Sequence, residues 1–220
     1  MRKLFNLDSP MMRFLAGVCD WILLNMMTVL FSLPVFTIGA ATTAMYYCVD
    51  KQRRGEDNLF VDFWHAFKTN FKQATGMWLI FLGIGYVIMT SIMSSFTVDA
   101  PGFKVIGCIS IGVMVFFAMV VSWAFILLSM FENTVKMTIQ NALICAMANF
   151  FKTLLVAIVN LLPLVVFFFL PNVFMEAIIY LALIWYTAVA NYVMWMLRKP
   201  INKLVDTSIE YMESVEEITA

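Results

Sequence analysis

The residues with the most chemistry to offer lie in one short stretch, Leu33-Pro34-Val35-Phe36-Thr37-Ile38-Gly39-Ala40-Ala41-Thr42-Thr43. Proline has no N–H and disfavours the α conformation in the residue before it, so Pro34 interrupts any helix that reaches it. An interrupted helix frees backbone carbonyls. Together with the hydroxyls of Thr37, Thr42 and Thr43 these could contact a polar ligand, as discontinuous helices do in transporters. The same residues support a plainer outcome. Gly39 with Thr43, and Ala40 with Ala44, form a small face at four-residue spacing that lets a neighbouring helix pack closely. Packing is the favoured of the two.

The remaining polar groups are sparse. His65 is the single histidine, and Glu56, Asp57 and Asp62 lie near it in sequence, which raises a proton relay or a metal site. One imidazole lacks the further ligands a metal needs, and a solvated helix face accounts for it. Asp20, Asn25, Asn160, Glu176 and Asn191 fall in or near apolar segments. A charge at mid-bilayer costs about 2.5–3.5 kcal/mol on insertion scales, but Asp20 and Glu176 sit at predicted span entrances where the cost is small. The three asparagines read as hydrogen-bonded links between helices. Eighteen methionines are spread without Met-x-x-Met pairing, so adaptable packing explains them better than a copper path. Cys19, Cys48, Cys108 and Cys145 have neither zinc-site nor disulfide-framework spacing. A nucleotide-binding glycine loop, a nucleophile elbow, a zincin motif and a carboxylate pair are all absent from the sequence, so an enzyme is the least supported class. No catalytic residue, cofactor or metal ligand is assigned.

The elements that must position these residues are read from composition. The chain is 63% hydrophobic and 13% charged, with a mean hydropathy of +0.89. A soluble domain is normally about one quarter charged, so lipid is the expected solvent. The 14 basic and 14 acidic residues cancel, and nothing suggests nucleic-acid binding. The expectation is an all-α polytopic bundle of about five transmembrane helices in a single domain, 1–220. Arg2 and Lys3 precede an apolar stretch too long for a signal peptide and interrupted by Arg13 and Asp20, so cleavage is not expected. Spans are predicted at 21–46, bent at Pro34, and at 74–98, 105–131, 153–170 and 173–197. In-plane amphipathic helices are predicted at 3–18, 59–72 and 133–151. The clearest of these sets Phe60, Phe63, Trp64, Phe67 and Phe71 against Asp62, Lys68 and Lys72.

Span, in-plane helix, span then occurs twice, with Asn70-Phe71 and Asn149-Phe150 in corresponding places 79 residues apart. That order admits an internal duplication of two-span units in parallel orientation. Orientation follows from lysine and arginine alone. Ten of them, from Lys51 to Lys203, lie on one side against Arg2, Lys3, Arg13 and Lys104 on the other, which puts the C-terminus in the cytoplasm. Five spans would then place the basic N-terminus outside, against its own charge. The tail 198–220 carries an apolar stripe of Leu204, Val205, Ile209, Met212 and Val215 among acidic residues. An anionic leaflet repels such a helix, so it is expected to dock on protein, either this chain's basic helices or a partner subunit.

Leu33 to Tyr47, the basic loop after it, and Phe67-Lys68-Thr69-Asn70-Phe71-Lys72-Gln73-Ala74 resemble the YesL-like family of bacterial membrane proteins. The likeness is specific over residues 33 to 74 and extends to the length and span layout of the rest. It implies a protein of the bacterial cell membrane whose genes often neighbour oligosaccharide ABC transporters and polysaccharide-degrading enzymes; it brings no site residues with it. The expected function is therefore a non-catalytic accessory or regulator of carbohydrate uptake that contacts ABC permease subunits or a second copy of itself. An independent small-solute transporter or channel is the alternative. Pro34, Thr37, Gly39, Thr43, Asp20, His65 and Asn70 are the candidate functional or helix-break residues.

Overall fold

A computed structural model describes residues 10–55, 58–98, 101–172 and 185–207. The secondary structure of these residues is helical. The helices are α1 (Pro10–Ser32), α2 (Ile38–Arg54), α3 (Leu59–Thr97), α4 (Pro101–Met130), α5 (Val135–Ala148), α6 (Phe150–Phe169) and α7 (Tyr186–Met196), with a 3-10 turn at Val35–Thr37. Four are long and apolar enough to cross a membrane, through Leu15–Ser32, Leu59–Thr97, Gly102–Met130 and Phe150–Phe167. The fold is thus that of a polytopic helical bundle. Of the predicted segments, residues 3–9, 173–184 and 208–220 lie outside the described residues, and with them Glu176 and most of the acidic tail.

Three boundaries differ from the sequence expectation. At Pro34 the helix stops and restarts, where a bend was expected. The described part of the predicted in-plane helix 3–18 belongs to α1, because Asp20 is polar but does not interrupt backbone hydrogen bonding. Residues 59–72 and 74–98 form one helix of 39 residues, about 58 Å long. No proline lies between them, and Gly76 alone costs only about 1 kcal/mol, too little to break a helix packed on one face.

The aromatic stripe at the start of α3 is divided between the bundle interior and its outer surface. Phe63 and Phe67 are buried, and Phe31 of α1 meets Phe63, Trp64 and Phe67 at ring separations of 5.5, 5.6 and 5.1 Å. Phe60 and Trp64 point outward. Antiparallel α2 closes this pair through a tight connection. Gly55 takes a left-handed φ of 78°, and its N–H caps Gln52 and Lys51 carbonyls at the end of α2. Beside the turn, Lys51 donates to Asp62 at 2.9 Å, a bond that holds the lysine pKa above its ordinary value. Nearby, burial first and the Asp62 charge second push the Cys48 thiol up to about 12.

Burial repeats along the chain with the spacing of the two asparagine–phenylalanine pairs. All the buried residues of α2, from Gly39 to Val49, have buried counterparts 79 residues on, from Ala118 to Leu128 in α4. Phe63, Ala66, Phe67, Ala74 and Met77 of α3 likewise match Ala142, Cys145, Ala146, Thr153 and Val156 of α5 and α6, all buried. Local hydrogen bonds follow the same offset. Thr43 Oγ1 donates to the Gly39 carbonyl at 2.9 Å and Ser122 Oγ to the Ala118 carbonyl at 2.8 Å. The Asn70 amide donates to the Ala66 carbonyl at 3.1 Å, and the Asn149 amide to the Cys145 carbonyl at 3.3 Å. One difference stands out. α3 runs unbroken through Asn70, whereas Asn149, at φ −118° and ψ 38°, separates α5 from α6.

Buried residues gather where α2, the first half of α3, the second half of α4, α5, α6 and α7 meet. The outer half of the α3–α4 hairpin has the opposite character, with Tyr86, Val87, Phe96, Val105 and Ile109 between 60% and 70% exposed. A continuous apolar surface of this kind fits hydrocarbon and not water. α7 is tied back to α1 through Asn25, whose fully buried side-chain oxygen accepts from the Thr187 N–H at 3.0 Å. Asn25→Leu leaves that donor without its partner in the core. It is expected to lower stability by about 1–3 kcal/mol, measured as a reduced unfolding midpoint of the detergent-solubilised protein. An unchanged midpoint would show that Asn25 does not hold α7 in place.

Candidate functional site

The stretch around Pro34 becomes a joint between α1, α2 and α3. Pro34 takes an extended conformation, φ −74° and ψ 116°, and α1 ends two residues earlier. The Leu30, Phe31, Pro34 and Val35 carbonyls around it find donors inside the protein. The Thr37 hydroxyl lies 2.6 Å from both the Phe31 and the Pro34 carbonyls, and the Thr37 N–H donates to Pro34 at 2.8 Å. Leu33 N–H donates to the Leu30 carbonyl at 3.3 Å. From α3, Trp78 Nε1–H reaches across to the Val35 carbonyl at 2.8 Å. The Phe31, Pro34 and Val35 carbonyls are thus occupied by Thr37 and Trp78.

Gly39 explains how Trp78 comes so close. A Cβ placed there would lie 2.6 Å from both the Ala74 carbonyl oxygen and Trp78 Cβ. The absence of a side chain lets the α2 and α3 backbones meet, with Ala40, Ala41, Ala44 and Ala74 fully buried around the contact. Thr43 spends its hydroxyl on the Gly39 carbonyl within α2. The other candidates lie elsewhere. Asp20 is half-buried on α1, Asn70 bonds within α3, and His65 is exposed on α3. Glu56 and Asp57, its neighbours in sequence, are outside the described residues. Proximity in sequence therefore brings Pro34, Thr37, Gly39 and Thr43 together, and leaves Asp20, His65 and Asn70 apart from them.

Two features lay beyond sequence reasoning. One is the cross-helix pairing of tryptophans. Besides Trp78 with Val35, the fully buried Trp123 donates to Thr153 Oγ1 at 2.9 Å, joining α4 to α6. The other is a cavity of about 290 Å³ between α2, α3, α4 and α6, where Thr42, Tyr46, Ser122 and Asn160 lie among Trp78, Phe117 and Phe125. Asn160 spends its amide on Ser122 Oγ at 3.0 Å. Asparagine in an apolar run signals such a bond, but only a structure names the acceptor.

Residues 21–92, which contain the joint, match the family described as "Protein of unknown function, DUF624". No curated protein and no solved structure matches the chain.

The joint makes a pair of stability predictions. Gly39→Ala forces α2 off α3 and is expected to cost about 1–3 kcal/mol, the usual range for overpacking. Trp78→Phe keeps most of the ring but removes the donor to Val35, at an expected cost of about 1–3 kcal/mol for the orphaned carbonyl. Denaturation of purified variants in one detergent measures both. A Gly39→Ala protein as stable as the parent would contradict the close approach.

Proposed function

We propose that the chain is a non-catalytic membrane component of the YesL-like kind, set in a bacterial cell membrane with its basic end and C-terminus in the cytoplasm. In this account it assists or regulates oligosaccharide uptake by contacting the permease of an ABC-type transporter. The observation that carries the reading is how polar groups are spent. Asn25 on Thr187, Asn160 on Ser122, Trp123 on Thr153, Trp78 on Val35 and Thr37 on Phe31 all join parts of the bundle to one another. A solute path of its own would need such groups turned towards a passage. What this bundle turns outward is apolar helix surface, which can take up a permease helix by close packing in place of lipid.

One observation favours a different role. The 290 Å³ cavity lies between the two units related by the 79-residue offset, and Tyr46 on its wall has its counterpart Phe125 on the same wall. A small-solute transporter would place a site between repeats in this manner.

Two measurements separate the readings. Affinity capture of the full-length protein in mild detergent is expected to bring down an ABC permease, and the purified protein alone in liposomes is expected to pass no oligosaccharide or small solute. Flux by the protein alone, with no permease captured, would replace the first reading by the second.

A further inference from the structure

At the end of the bundle opposite the apolar hairpin tip, a cavity of about 540 Å³ opens between the last turn of α2, the end of α4 and the chain leaving α7. Met130 and Met194 contribute apolar wall, while Arg53, Arg54 and Arg198 line it with charge, against Asp50 and Asp206. These charges do not cancel in place. Arg54 is paired with Asp50, one helical turn back on α2. Asp206 is exposed and makes no ion pair with a described residue. Among the described residues Arg53 donates one bond, to the Asn191 carbonyl of α7 at 2.8 Å, which leaves most of its five N–H donors without a described acceptor. Arg198 makes no hydrogen bond or ion pair with a described residue.

Arg53 and Arg198 also feel each other. The Arg53 guanidinium is held below the ordinary arginine value by burial first and by the Arg198 charge second, with Asp50 opposing. Cations at the C-terminal end of a helix are common because they complement its dipole, and that accounts for Lys51, Arg53 and Arg54. It does not account for Arg198. A further helical stretch, 198–207, begins at that residue, so the negative end of α7 meets the positive end of the next helix there. The backbone gives no net reason for a cation at that junction.

Two guanidinium groups from separate helices, exposed on the wall of one cavity, near each other and short of partners among the described residues, match a ligand with several oxygens and more than one negative charge. Guanidinium presents parallel N–H donors that fit phosphate in pairs. Basic pockets at the charged ends of membrane helices take phosphate headgroups by the same chemistry. We propose that Arg53 and Arg198 form a binding site for a phosphate group, with Arg54 held ready beside them by Asp50. The phosphate comes either from an anionic phospholipid headgroup, with the methionine wall and Trp195 beside its chains, or from a soluble phosphate.

The test uses the full-length protein purified in a neutral detergent and follows its unfolding midpoint at constant ionic strength. Inorganic phosphate and pyrophosphate form one arm, and short-chain phosphatidylglycerol doped into the micelles forms the other. Chloride and short-chain phosphatidylcholine are the controls. A midpoint that rises in either arm and not in the controls supports the site. A lipid response alone assigns the headgroup as source, a response to free phosphate alone assigns a soluble ligand, and a response to both assigns the shared phosphate chemistry. Arg198→Gln removes a side chain with no described partner, so it is expected to fold as the parent does and to weaken the response about tenfold or more. Arg53→Lys keeps charge while losing the planar fork, and is expected to weaken it as well. No response in either arm, or an equal response in Arg198→Gln, overturns the proposal.

Discussion

Hydrocarbon offers no hydrogen bonds, so a helix that stops within or beside it must find partners for its own backbone. That constraint organises this protein at Pro34. The break is closed from within by Thr37 and from outside by Trp78, and Trp78 can reach Val35 because Gly39 lets α2 lie against α3. Once α2 and α3 are in register, Phe63 and Phe67 meet Phe31, and Lys51 falls opposite Asp62 at the hairpin mouth. The packing of the first half of the molecule is centred on this one interruption.

Much of this was legible in the sequence, and the parts that were not share a cause. Pro34 announces its break because proline acts locally, and the small residues after it announce a close helix neighbour. The stripe of aromatic residues on α3 was also visible, but its partner was not. Periodicity gives one face of a helix and says nothing of whether lipid headgroups or other helices cover it. The unbroken run of α3 through Asn70 was hidden for a related reason. A change from amphipathic to apolar character looks like an element boundary, although backbone hydrogen bonding is indifferent to it. Trp78 and Trp123 were ordinary aromatic residues until their acceptors could be named.

The two units offset by 79 residues share their burial pattern but few residue identities. Ala44 and Ala74 in the first correspond to Trp123 and Thr153 in the second. Small residues let backbones approach in one unit, and a buried tryptophan hydrogen-bonded to a threonine joins the helices in the other. Burial and the i to i−4 side-chain bonds recur at the 79-residue offset, while residue size does not. The units differ most at the ends of their first helices. One closes with Asp50-Lys51-Gln52-Arg53-Arg54, the other with Ser129-Met130-Phe131-Glu132-Asn133. Positive charge is thereby concentrated on one unit, beside α7, while the buried interior is held in common.

The account rests on lipid covering the outer half of the α3–α4 hairpin while water reaches the arginine-bearing end. Nitroxide labels at positions 87 and 109, compared with labels at 54 and 198 in reconstituted protein, test that division directly. The first pair is expected to be relaxed by oxygen and shielded from a water-soluble nickel complex, and the second pair to show the reverse. Equal access of the nickel complex to positions 87 and 109 would contradict it.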